Sequence, residues 1–156
     1  MEEKYNNAIK AGIIGGVTLA LYYLLQFILG YIPVVNFLVA VLACLLWPVI
    51  LLVSVGIGAY GVKLASQHVK TLVDGIILGA VAGAVAGLIS AVAQIIFNIL
   101  SALLSSSTSD IVGSAIGVVF SGVCGSVAAV AIIVVAAILG AIGGALYTFL
   151  VLKIQA

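Results

Sequence analysis

Arginine is absent from this 156-residue chain, and five lysines, four carboxylates and one histidine are all it has of ionisable charge. Charged residues make up 6%, against roughly a quarter in soluble domains, too few to wet the outside of a water-soluble fold. A net charge of +1 without arginine offers no basic surface to nucleic acid, so no nucleic-acid partner is expected. Cysteine is scarce as well. Cys44 and Cys124 lie in separate apolar segments with no CxxC pair and no nearby histidine, which points to two free buried thiols rather than a zinc site or a disulfide framework. The lone His68 and the carboxylates Glu2, Glu3, Asp74 and Asp110 all stand near the edges of apolar runs. Such scattered groups do not bring a nucleophile, a base or metal ligands within reach of one another, so neither catalysis, a metal nor a cofactor is expected. Charge inside the apolar runs is also missing, and with it the residues that mark proton relays and ion paths.

Apolar residues fill the space instead. They make up 66% of the chain, and the mean hydropathy is +1.52. Runs longer than the 18 or so residues that a membrane helix needs recur along it. The expected architecture is all-α: one integral membrane domain over residues 1–156, a four-helix bundle with spans at about 11–30, 37–60, 75–104 and 111–152. The first run has a signal-like basic flank, but no small-x-small cleavage site follows it near Tyr31-Ile32-Pro33, so it reads as an uncleaved anchor. Pro33 keeps Ile32 out of helix and makes a tight connection to span two. Trp47-Pro48 sits mid-span, where proline removes a backbone donor, so a kink covered by Trp47 is expected there.

Gly61 to Val73 is the most polar internal stretch. Leu64, Ala65, Val69, Leu72 and Val73 on one side and Lys63, Gln67, Lys70 and Asp74 on the other predict an amphipathic connector along the headgroups. Asp74 is placed to cap the next helix. Spans three and four are both longer than the hydrocarbon core requires, so they tilt or project. A serine-rich turn at 105–109 separates them, with Asp110 as the cap of the fourth. The first turns of span four lie outside the core; a re-entrant half-helix at 111–126 is the alternative.

Small residues recur at every fourth position. Gly75, Gly79, Gly83 and Gly87 form one narrow face of span three. Ala8, Gly12, Gly16 and Ala20 form a second in span one. Span four carries two more, through Gly113, Gly117, Ser121, Gly125 and Ala129, and through Ala136, Gly140, Gly144 and Thr148. In water each helical glycine costs about 1 kcal/mol relative to alanine. In lipid such faces let helix backbones meet.

Every lysine falls on one side of this topology: Lys4 and Lys10 before span one, Lys63 and Lys70 between spans two and three, Lys153 after span four. The positive-inside rule therefore predicts cytoplasmic N and C termini. Lys10-Ala11-Gly12-Ile13-Ile14 and Val73-Asp74-Gly75-Ile76-Ile77 align, suggesting two parallel-related hairpins.

Ile32-Pro33-x-x-Asn36, Cys44-x-x-Trp47, Gly56-x-Gly58-Ala59-Tyr60 and Asp74-Gly75 with Gly79, Gly83 and Gly87 together give the chain a loose resemblance. It resembles a family of small prokaryotic four-span membrane proteins of uncharacterised function. The likeness covers about the first 90 residues, and this chain departs from it in having one cysteine where several often cluster, and in Pro48. It implies a prokaryotic cell membrane and carries over no activity.

The functional expectation is a non-enzymatic structural or accessory subunit. It would assemble through glycine-zipper helix packing into a homo-oligomer or a larger membrane complex, with the lipid bilayer as its other partner. The alternative is a channel or carrier for a small neutral solute, with Gln26, Asn36, Gln94 and Asn98, beside Tyr22 and Tyr23, as its polar site. Anionic-lipid binding by the five lysines is a weaker third reading.

Overall fold

A long apolar chain closes its hydrogen bonds within one segment only as helix, and glycine, alanine and β-branched residues that would be poor helix formers in water accept that state in lipid. In the computed structural model the chain is all-α. Its elements are α1 (Glu2–Gly30), α2 (Pro33–Leu64), a 3₁₀ turn (Ser66–His68), α3 (Leu72–Ser105) and α4 (Ile111–Leu150). The structure describes the backbone of residues 2–30, 33–105 and 111–153, and the side-chain surroundings of residues 3–29, 49–101 and 130–153. No strand occurs among the described residues.

The helices are 29, 32, 34 and 40 residues long. At about 1.5 Å per residue all of them outrun a hydrocarbon core of about 30 Å. Glu3–Leu29, Leu72–Ser101 and Val130–Leu150 are each long and apolar enough to cross a membrane, and Val49–Leu64 is a shorter apolar stretch of α2. This is a membrane protein. α4 is one continuous helix from Ile111 to Leu150, with no turn near residue 126 where a re-entrant half-helix would end. α2 runs through Trp47 and Pro48, but the surroundings of both, and the expected kink, lie outside the described residues.

The connector between α2 and α3 departs from its sequence pattern. Residues 61–64 are the last turn of α2, a 3₁₀ turn comes next, and α3 starts at Leu72, so no amphipathic helix lies along the headgroups. The break rotates the expected apolar face apart. Ala65 and Val69 are buried, whereas Leu64 and Val73 are exposed. The cap is also one turn earlier than expected. Thr71 precedes the first helical residue, and its Oγ1 accepts from the Asp74 backbone N–H at 3.2 Å while donating to Asp74 Oδ2 at 3.1 Å. Asp74 is therefore the third residue of the helix, not its cap. Its carboxylate still meets the positive end of the dipole, in a capping-box-like exchange.

α3 lies between α1 and α4, and α2 packs on α1 and α4 and more lightly on α3. The interior is made of small side chains. Ala8, Ala11, Ala82, Ala86 and Ala91 are buried, with Leu78 and Val62 the largest fully buried apolar residues, while Leu21, Leu25, Ile28, Val92, Ile138 and Phe149 are more than half or nearly half exposed. A soluble bundle has the reverse order. Between oil and protein the large side chains gain nothing by turning inward, and close backbone contact decides the packing instead.

Candidate functional site

The seam between α3 and α4 is built on glycine. A Cβ on Gly75 would strike Thr148; on Gly79, the Gly140 carbonyl oxygen; on Gly83, the Ala136 oxygen; on Gly87 it would stand 2.9 Å from Ala136 Cβ. The reverse holds from α4, where Gly140 and Gly144 meet the carbonyl oxygens of Gly79 and Gly75. The two expected faces thus meet each other, antiparallel, backbone against backbone at Gly79, Gly83, Gly140 and Gly144 and against the Thr148 and Ala136 side chains at the two ends. Contacts this close replace side-chain interlocking with dispersion and Cα–H···O contacts.

The α1–α3 seam is parallel and keeps one register. Lys4 meets Asp74, Gly12 meets Ala82, Gly16 meets Ala86 and Phe27 stacks on Phe97, each pair 70 positions apart. A Cβ on Gly12 would lie 2.7 Å from the Ala82 oxygen and from Val85 Cβ, and one on Gly16 would lie 2.8 Å from Ile89 Cβ. The two hairpins close differently. Gly15 of α1 faces the flexible side chain of Ile57 in α2, whereas α3 and α4 touch through backbone.

Sequence reasoning missed Gly58 and Gly143 as packing positions. Gly58 abuts the Gly140 oxygen, and a Cβ on Gly143 would strike the Val55 oxygen and lie 3.1 Å from the Ala59 nitrogen. The adjacent pair Gly143-Gly144 was the available signal, since neighbouring positions lie about 100° apart on a helix and serve two partners. Also missed was the ion pair of Lys4 Nζ with Asp74 Oδ1 at 2.9 Å. It joins the starts of two helices that begin on the same side. The surroundings of Gly113, Gly117 and Gly125, and of Cys44, Asn36 and Cys124, lie outside the described residues.

At the end of the α1–α3 seam away from the lysines the expected polar residues converge. Tyr23, Gln26 and Phe27 of α1 and Gln94, Phe97, Asn98 and Ser101 of α3 line a cavity of about 320 Å³. Spacings of three and four on each helix put these side chains on facing stripes. Tyr23 is hydrogen-bonded to the Gln94 side chain. Phe27 and Phe97 stack with centroids 5.4 Å apart, and Tyr22 meets Tyr23 edge-on at 5.6 Å. Gln26, Gln94 and Asn98 thus share one site. It carries hydrogen-bond donors and acceptors without charge, and so suits recognition of a neutral group rather than acid–base chemistry.

A second cavity, of about 220 Å³, lies where the four helices meet, lined mainly by Leu19, Ile50, Ile132 and Leu139 with Ser54 and Ser90. Both hydroxyls donate to their own helices, Ser54 to the Ile50 oxygen at 3.0 Å and Ser90 to the Gly87 oxygen at 2.9 Å, which satisfies them within lipid. No group of three or more His, Cys, Asp or Glu that could hold a metal occurs among the described residues. No family model, curated protein or solved structure matches the chain.

Proposed function

We propose that the chain is a non-enzymatic, membrane-embedded structural or accessory subunit: a four-span bundle with both termini in the cytoplasm, held by glycine-zipper packing and presenting its outer faces to further copies or to a larger complex. The observation that carries this reading is the α3–α4 seam. Glycine set against backbone oxygen at Gly79, Gly83, Gly140 and Gly144 fixes a single register, as suits a rigid scaffold and not a pair of helices that must slide. The cytoplasmic placement comes from the lysines. The starts of α1 and α3 and the ends of α2 and α4 share one end of the bundle, joined by the Lys4–Asp74 pair, by Asn7 Nδ2 donating to the Leu64 oxygen at 3.3 Å, and by Thr148 against Gly75.

The same seam changes where assembly would occur. The small faces at 12–16, 75–87 and 136–148 are occupied within the chain. In this reading the contact with a partner is assigned to the further ladder that the sequence carries at Gly113, Gly117 and Gly125, whose surroundings lie outside the described residues. Gly83→Leu should lower thermal stability in mild detergent without changing assembly size, and Gly117→Leu should shrink the assembly with helicity intact. A monomer in native-like nanodiscs, with nothing copurifying in fixed ratio, would count against the proposal.

The cavity between Tyr23, Gln26, Gln94 and Asn98 favours a second reading, a channel or carrier for a small neutral solute. Liposome flux tests it. Permeability to small polyols and amides above that of empty vesicles, abolished by Gln94→Leu, supports transport; permeability equal to that of empty vesicles removes it.

A further inference from the structure

At the lysine-bearing end, the start of α1, the 3₁₀ turn and the first turn of α3 enclose a cavity of about 310 Å³ lined by Glu3, Lys4, Gln67, His68, Lys70 and Asp74. Part of its charge is already paired. Lys4 and Asp74 are 2.9 Å apart and about four-fifths buried, and Asp74 is also engaged by Thr71. Lys70, by contrast, makes no ion pair among the described residues. Glu3 is 80% exposed, and among the described residues its ion-pair partner is His68 Nε2 at 3.9 Å, beyond hydrogen-bond length. Among the described residues, one cation on the loop and one loosely held anion on α1 therefore remain without a close ion pair, with the Gln67 amide and the His68 imidazole in the same wall.

The lining holds two lysines and two carboxylates, so it has no excess of positive charge to draw a purely anionic ligand. It is suited to a ligand that itself carries one group of each sign. Just past Lys70, Val73 and Ile77 are spaced like one helix face and are 61% and 43% exposed, an apolar strip on the first turns of α3, the helix that contributes Asp74 to the cavity.

We propose that this cavity binds the headgroup of a zwitterionic phospholipid bearing a primary ammonium, with the phosphate toward Lys70 and Gln67, the ammonium toward Glu3, and an acyl chain along Val73 and Ile77. A primary ammonium donates hydrogen bonds to a carboxylate, and a quaternary one has no N–H to give. Phosphatidylethanolamine therefore fits better than phosphatidylcholine. The proposal rests on the chain lying in a bilayer, and is independent of whether it is a scaffold or a carrier.

The test is lipid binding by the full-length chain in detergent, measured by native mass spectrometry with short-chain phosphatidylethanolamine, phosphatidylcholine, phosphatidylglycerol and soluble phosphoethanolamine. Phosphatidylethanolamine should bind about tenfold more tightly than each of the others, the size of one charge-assisted hydrogen bond. Glu3→Gln should remove that preference, Lys70→Gln should weaken binding of all three lipids while keeping their order, and Lys10→Gln, outside the cavity, should leave both affinity and preference unchanged. Neither tested side chain supports the fold, so unchanged helicity is expected throughout. Equal binding of the three lipids, equally tight binding of soluble phosphoethanolamine, a Glu3→Gln variant that retains the preference, or a Lys70→Gln variant with undiminished lipid binding would each overturn the assignment.

Discussion

Two glycines of this chain with the same helical backbone have opposite surroundings. Gly79 faces the Gly140 oxygen, whereas Gly56 has nothing within 4 Å of where a Cβ would stand. Gly79→Ala therefore forces α3 from α4 against an unyielding backbone atom, and should destabilise by about 1–3 kcal/mol, the usual range for overpacking. Gly56→Ala adds a methyl group to open space in a helix, and should be neutral or stabilising by up to about 1 kcal/mol. Unfolding of both variants in mixed detergent measures the contrast, and equal effects would mean that the seam does not close backbone to backbone. Thr148 sharpens the same argument. Its hydroxyl donates to the Gly144 oxygen at 2.8 Å and its side chain rests on Gly75. Gly75→Ala should thus be costly alone and partly rescued by Thr148→Ala, with a coupling on the order of 1 kcal/mol between the two changes.

At the scale of the helix, α3 begins where it does because Thr71 and Asp74 satisfy its first turn and Lys4 fixes that turn to α1. Thr71→Ala should cost about 1 kcal/mol as a lost N-cap, while Lys4→Gln at the partly exposed pair should cost less than the lost cap. Hydrogen exchange localised to the first turn of α3 distinguishes these from global effects. The sequence pattern made the helices legible, since long apolar runs and four-residue glycine spacing have few other readings. It misplaced the cap by three residues, because threonine and aspartate are both good cap residues and only the start of α3 decides between them. The connector was misjudged for a related reason. Periodicity over residues 61–73 is consistent with one helix, but the chain must reverse between Leu64 and Leu72, and a turn that buries Ala65 and Val69 does so. Which glycine faces meet could not be read from spacing at all, as any two ladders are equally complementary until the order of helices around the bundle is fixed.

For the whole molecule, the inverted distribution of side-chain size makes stability depend on position in a way a soluble bundle does not. Leu78 is 0% exposed at the centre of the lysine-side cluster with Ala8, Val62, Ala65 and Val69, while Leu25 is 57% exposed on the outside of α1. In water, trimming either leucine would remove buried or partly buried apolar surface. In a bilayer, Leu25→Ala exchanges contact with acyl chains for slightly different contact with acyl chains, and should shift stability by no more than about 0.5 kcal/mol. Leu78→Ala leaves a void that lipid cannot enter, and should cost about 2–4 kcal/mol. The polar residues are distributed by the same logic. Tyr23, Gln26, Gln94 and Asn98 stand toward one another at one end and the charged groups at the other, so the faces between are left to large apolar side chains. Reconstitution into vesicles followed by steric-trap or denaturant unfolding of the two variants reads both values. A Leu25→Ala loss as large as that of Leu78→Ala would mean that α1 is covered by protein rather than lipid, and would move the proposed assembly contact to the outer face of α1.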